Sequence, residues 1–125
     1  MNLFGNVTEM GHEQVLFCNG KDPDIKAIIA IHDTSLGPAM GATRMLPYAN
    51  EEAALKDALR LSRGMTYKAA CAYIPVGGGK AVIIGNPKHK TDELLYAYGR
   101  FVNSLNGRFI TGQDVNMTPE DVRKI

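Results

Sequence analysis

An unbroken apolar run, Ala81-Val82-Ile83-Ile84, follows the stretch Pro75-Val76-Gly77-Gly78-Gly79-Lys80 and stops at Gly85-Asn86-Pro87. Four aliphatic side chains without polar alternation mark a buried strand, the kind found inside an α/β sheet covered on both faces. The glycines ahead of it strip the backbone of side chains and leave an ammonium group at the edge of the cleared space. A flexible turn with a surface lysine is the plainer alternative. A phosphate-binding P-loop is excluded, because it needs a glycine earlier in the run and Ser or Thr after the lysine, where Ala81 stands.

The rest of the chain fits around that strand. Segments 13–18 and 26–32 are short, apolar and β-branched, with turn chemistry at Asn19-Gly20 and Asp22-Pro23-Asp24 between them. They are expected to be neighbouring strands in a hairpin. Residues 35–44 are small and glycine-bearing, loop-like early and strand-like late. Asn50 with Glu51 and Glu52 starts a helix. Its apolar face is Leu55, Ala58, Leu59, Ser62 and Met65, and Lys68 is expected just after it. Thr91 with Asp92 and Glu93 starts a second helix with a stripe from Leu94 to Leu105, closed by Asn106-Gly107. Phe109-Ile110-Thr111 reads as a short strand leading to Asp114. Thr118-Pro119-Glu120-Asp121 begins a further helix. So short a helix is marginal alone, and the chain is expected to be truncated ahead of more structure. The fold class is α/β, a mixed, mostly parallel sheet flanked by helices.

Composition excludes several functions. Forty-five per cent hydrophobic and 22% charged residues over 125 positions suit one globular domain. A net charge of +1 offers no pull toward nucleic acid or an anionic membrane. No apolar run approaches a membrane span, and no signal peptide is evident at the start. Cys18 and Cys71 read as free thiols, which makes the cytoplasm the expected compartment. His12, His32 and His89 share no spacing that suggests a metal site. Arg44 suits a structural ion pair better than a ligand.

Taken together, these blocks resemble the glutamate/leucine/phenylalanine/valine dehydrogenase family. Ile74, Gly77, Gly78, Gly79, Lys80, Val82, Asn86 and Pro87 fill its signature without a gap. Residues 37–44, Arg63-Gly64-Met65-Thr66-Tyr67-Lys68 and residues 106–111 are similar to further family blocks in the same order. The look is closest to leucine, phenylalanine and tryptophan dehydrogenases. The resemblance implies that residues 1–125 are an amino-terminal substrate-binding and oligomerisation domain. A Rossmann-type domain binding NAD or NADP would follow, and the whole would be a homo-oligomer.

It also implies roles for individual residues. Lys68 would bind the substrate carboxylate, Lys80 would polarise the keto oxygen and position water, and Asp114 would shuttle protons. Met40 would line the side-chain pocket. Met65 and backbone at Gly41 and Gly77 would seat the substrate. The reaction would be reversible oxidative deamination of an apolar or aromatic L-amino acid to a 2-oxo acid and ammonia, because no charge near Met40 could meet a side-chain carboxylate. Two lysines drawn to one ligand repel by roughly 3 kcal/mol at about 5 Å and an effective dielectric near 20. That repulsion is expected to ease proton loss from Lys80, whose glycine neighbours offer no anion. The chain alone, lacking Gly-x-Gly-x-x-Gly, is expected to be inactive. The competing class is a non-catalytic oligomerisation module. A glycine-rich strand-turn-helix encoded past Ile125 would decide for the enzyme.

Overall fold

The computed structural model describes residues 2–125. In chain order the elements are α1 (Leu3–Met10), β1 (Gln14–Lys21), β2 (Asp24–Asp33), β3 (Ala39–Met40), β4 (Thr43–Leu46), α2 (Glu51–Cys71), β5 (Gly77–Ile84), α3 (Asp92–Asn103), β6 (Phe109–Ile110) and α4 (Pro119–Arg123). All six strands join one mixed sheet in the order β1-β2-β5-β3-β6, with β4 also paired to β5. The β1–β2 and β2–β5 ladders are antiparallel, while β3–β5, β4–β5 and β3–β6 are parallel.

The apolar run occupies the middle of the sheet. Ala81 and Ile83 face a core with Tyr98, Leu95 and Phe109, whereas Val82 faces Ala54, Leu55, Ala58 and Leu59 of α2. Helices therefore cover both faces, which is why the run needs no polar alternation. Asn50 caps α2 by accepting the Ala53 amide, and Thr91 caps α3 by accepting that of Leu94. Thr118 and Asp121 form a reciprocal capping box at α4. Asn106 and Gly107 both adopt positive φ where the chain leaves α3.

Four details differ from the sequence expectation. Asn19 and Gly20 belong to β1, and the hairpin turns at Asp22-Pro23 alone. The glycines are not a loop but the first half of β5. Lys68 lies within the last turn of α2 rather than after it. Finally, α1 has no counterpart in the sequence expectation, although Asn2 and Gly11 cap it and its Val7 and Met10 pack against the core.

Strands β3 and β4 are one line interrupted at Gly41-Ala42, both lying along β5. On their other side the chain from 109 to 115 follows in parallel: Gly41 donates to Ile110, Thr43 to Gly112 and Met45 to Val115. This line carries Asp114 alongside Arg44.

Candidate functional site

Strand alternation decides which groups share a face. Val82 points toward α2, so Gly78 and Lys80 do too. Met40 is in register with Gly78, and Arg44 with Val82. All of these belong to the α2 side of the sheet. Along α2 itself, Asp57, Leu61, Met65 and Lys68 follow one another at four-, four- and three-residue steps and so share a flank. Asp57 on that flank meets Arg44. Lys68 and Met65 are thus carried on the side of the helix that looks toward Arg44 and Asp114.

The most tightly defined part is a cluster of charges. Lys80 is only 6% exposed, and its Nζ lies 3.1 Å from Asp114 Oδ2. Arg44 Nε donates to the same oxygen at 2.6 Å. Burial works against ionisation of Asp114, but the hydrogen bonds from Arg44 and Lys80 outweigh it and hold the carboxyl below its ordinary range. Arg44 also donates through Nη1 to Asp57 Oδ2 at 3.2 Å, the oxygen that accepts the Tyr48 hydroxyl. Burial and the hydrogen bond to Asp57 push the Tyr48 phenol well up. The structural ion pair expected for Arg44 is present. The anion-free surroundings expected for Lys80 are not, since Asp114 is its direct partner.

The space beside the glycines is filled by the protein itself. A Cβ on Gly78 would lie 2.0 Å from Thr66 Oγ1, one on Gly77 1.8 Å from the Asp33 carbonyl oxygen, and one on Gly41 1.6 Å from that of Gly79. These glycines let α2 and neighbouring backbone close onto β5, which corrects the expectation of a cleared hollow there. The amides of Gly41 and Gly77 are engaged within the sheet, donating to Ile110 and Pro38. Open surface lies to one side instead. Met40 is 41% exposed, and Ile110, its register partner in β6, is 44% exposed. Lys68 is exposed, and no carboxylate among the described residues pairs with it.

Sequence reasoning missed Asp57, Tyr48 and Ile110 as neighbours of the site. Only the helical step from Asp57 to Lys68 could have pointed to the first. It also missed a buried histidine pair, His12 and His32, whose rings meet edge to face at 4.7 Å. His32 bonds Thr66 Oγ1 at 2.8 Å and the Met10 carbonyl at 2.9 Å. An apolar surface hollow lined by Phe17, Leu55 and Ile84 lies elsewhere and includes none of the site residues. Among the described residues no group of three or more His, Cys, Asp or Glu could hold a metal ion. No helix there is long and apolar enough to cross a membrane. A dinucleotide does not fit the glycine run either, since α2, β2 and the β3–β4 line already occupy its flanks.

The α2 side of the mixed sheet thus carries a buried lysine–carboxylate pair, and Lys68, Met40 and Ile110 are exposed. A family model described as the Glu/Leu/Phe/Val dehydrogenase dimerisation domain matches residues 12–125, and the chain belongs to that family. L-tryptophan dehydrogenase from Nostoc punctiforme is 83% identical over 125 residues, covering 100% of this chain and 35% of the relative. Phenylalanine dehydrogenase from Caldalkalibacillus thermarum is 62% identical over 94% of this chain and 32% of its own length. Leucine dehydrogenase from Bacillus subtilis is 56% identical over 98% of this chain and 34% of its own. The chain therefore spans about a third of the length of the curated relatives it matches.

The solved structures agree. The crystal structure of L-tryptophan dehydrogenase from Nostoc punctiforme superposes with a TM-score of 0.96 at 83% identity, covering 98% of this chain and 37% of that one. A glutamate dehydrogenase from Peptoniphilus asaccharolyticus shares the fold at a TM-score of 0.76 and 22% identity.

Proposed function

We propose that this chain is the amino-terminal, substrate-binding part of an NAD(P)-dependent L-amino-acid dehydrogenase. Its reaction is the reversible oxidative deamination of an apolar or aromatic L-amino acid to the 2-oxo acid and ammonia. The observation that carries this is the buried Lys80 ammonium, 3.1 Å from Asp114 in a chain 83% identical to a tryptophan dehydrogenase. A buried ammonium within hydrogen-bond reach of a carboxylate gives the pair a direct path for exchanging a proton.

In this account Lys68 holds the substrate carboxylate through a charge-assisted hydrogen bond, worth about 1.5–3 kcal/mol. No carboxylate among the described residues pairs with it, which supports that role. Lys80 donates to the oxygen of the 2-oxo acid and orients the water that attacks or leaves at the same carbon. Asp114 accepts and returns protons in those steps. Met65, on the same flank of α2 as Lys68, contributes to the seat. Met40 and Ile110 offer apolar surface to the substrate side chain, and neither brings a charge that would favour glutamate. The nicotinamide, which takes up or returns the hydride, is held by a second domain outside this chain. The whole enzyme self-associates and works in the cytoplasm.

The test uses the full-length enzyme with NAD and a panel of amino acids, scored by kcat/KM. Leucine, phenylalanine or tryptophan is expected to exceed glutamate. Lys80→Ala is expected to lower kcat by about a hundredfold or more, the usual weight of a proton-transfer group. A glutamate preference would overturn the pocket assignment, and an unaltered chemical step in Lys80→Ala would overturn the role of Lys80.

A further inference from the structure

The roles given to Lys80 and Asp114 leave unexplained the groups that grip them. Arg44 approaches Asp114 Oδ2 more closely than Lys80 does, 2.6 Å against 3.1 Å, on the same oxygen. Its other arm reaches Asp57 Oδ2 at 3.2 Å. Asp57 in turn accepts the Tyr48 hydroxyl on that oxygen and Arg60 Nη2, at 3.1 Å, on Oδ1. The side chains of Arg44, Asp57 and Asp114 are all largely buried, while that of Arg60 is exposed. A guanidinium is planar, permanently charged and forked, so it can bridge two carboxylates at a set spacing as an ammonium cannot.

We propose that Arg44 is the positioning residue of the Lys80–Asp114 pair, itself clamped by Asp57 and Tyr48. It keeps the Asp114 carboxylate in one orientation and shares its negative charge, so that Lys80 is not the sole counter-ion. This rests on the dehydrogenase roles of Lys80 and Asp114 given above. The cluster alternates in sign from element to element: Arg44 from β4, Asp114 beyond β6, Lys80 from β5 and Asp57 from α2, with Arg60 outside and the neutral Tyr48 hydroxyl at one end. The hydrogen bonds from Arg44 and Lys80 together hold the Asp114 carboxyl below its ordinary range, and of the two cations Arg44 is the permanent one.

The consequence has a sign that a merely structural role would not produce. Removing the cation at 44 raises the proton affinity of the Asp114 carboxyl, and removing the anion at 57 lowers it. Kinetics on the full-length enzyme across the pH range therefore separate the two. In Arg44→Gln the ascending limb of kcat/KM is expected to move up by about one pH unit or more, with kcat falling more than KM changes. In Asp57→Asn, which retains an acceptor for Tyr48, the limb is expected to move the other way. Arg44→Lys is expected to return the limb toward wild type while leaving kcat low, because charge is restored without the fork.

Limbs unmoved in both Arg44→Gln and Asp57→Asn, or moved in the same direction, would overturn the proposal. Should Arg44→Gln not fold, Asp57→Asn decides: a limb shifted down supports it and an unmoved one overturns it. A wild-type enzyme inactive toward every amino acid would sink the dehydrogenase reading and this role with it. An active wild type indifferent to both substitutions sinks the role of Arg44 alone.

Discussion

His12 sits beneath α2 with its Nε2 3.0 Å from the Leu59 carbonyl and 2.7 Å from Ser62 Oγ, while its buried Nδ1 has no partner among the described residues. Burial, then the neighbouring His32, push its pKa down from 6.5 to about 4, with Arg63 adding to the effect. The unfolded chain therefore takes up this proton at a higher pH than the folded one. Stability attributable to neutral His12 is whole above pH 6.5, declines as the pH falls toward 4, and is gone below that. The loss is on the order of 3 kcal/mol, at about 1.4 kcal/mol per pKa unit. Urea unfolding at neutral and at mildly acid pH should show this dependence, and His12→Gln should flatten it. An equally steep dependence in the variant would assign the effect to other groups. Nothing in the spacing of His12 and His32 foretold this pair. They lie on a turn and a strand, and only the docking of α2 brings both rings under Ser62 and Thr66.

At the level of elements, the decisive contact is α2 lying across β5. A methyl group on Gly78 would collide with Thr66, at 2.0 Å from its Oγ1 and 2.3 Å from its amide nitrogen. Gly78→Ala is therefore expected to destabilise the chain by about 1–3 kcal/mol or more, since the helix must lift. Gly64, inside the same helix, meets nothing within 4 Å of an added Cβ. Gly64→Ala should stabilise by roughly 0.5–1 kcal/mol through backbone entropy. Denaturant midpoints of the two variants are expected on opposite sides of wild type, and a neutral Gly78→Ala would refute the close-packing argument. The capped helices and the apolar strand were legible because caps, apolar stripes and unbroken aliphatic runs are local. The extension of β5 back through the glycines was not, for glycine carries no side chain whose pattern could report burial. Helix α1 was missed although its caps, Asn2 and Gly11, are equally local, because a helix of about two turns offers too short a stripe to stand out.

Taken whole, the described residues bring Lys80, Asp114 and Arg44 into one ion-pair cluster, and the glycines that could have offered a phosphate seat are closed over by the protein itself. NAD added to this chain by itself is therefore expected to leave the thermal midpoint unchanged. A ligand at about a hundred times its Kd would add close to 2.7 kcal/mol, which a melting curve resolves easily. A clear upward shift with NAD would mean that a nucleotide site exists within these residues.

Local order along the chain determined the α/β class, the helix starts, the buried strand and the family, because each depends on neighbours within a few positions or on a motif read in line. It also marked Lys80, Asp114 and Lys68 as candidates, though not how they meet. Only the tertiary structure decided that Asp114 falls beside Lys80, that Arg44 bridges Asp114 to Asp57, and that the glycines serve packing. Those relations join residues from 13 to 70 positions apart. They exist because a parallel strand pair and a crossing helix bring distant segments together, and no local pattern encodes that closure.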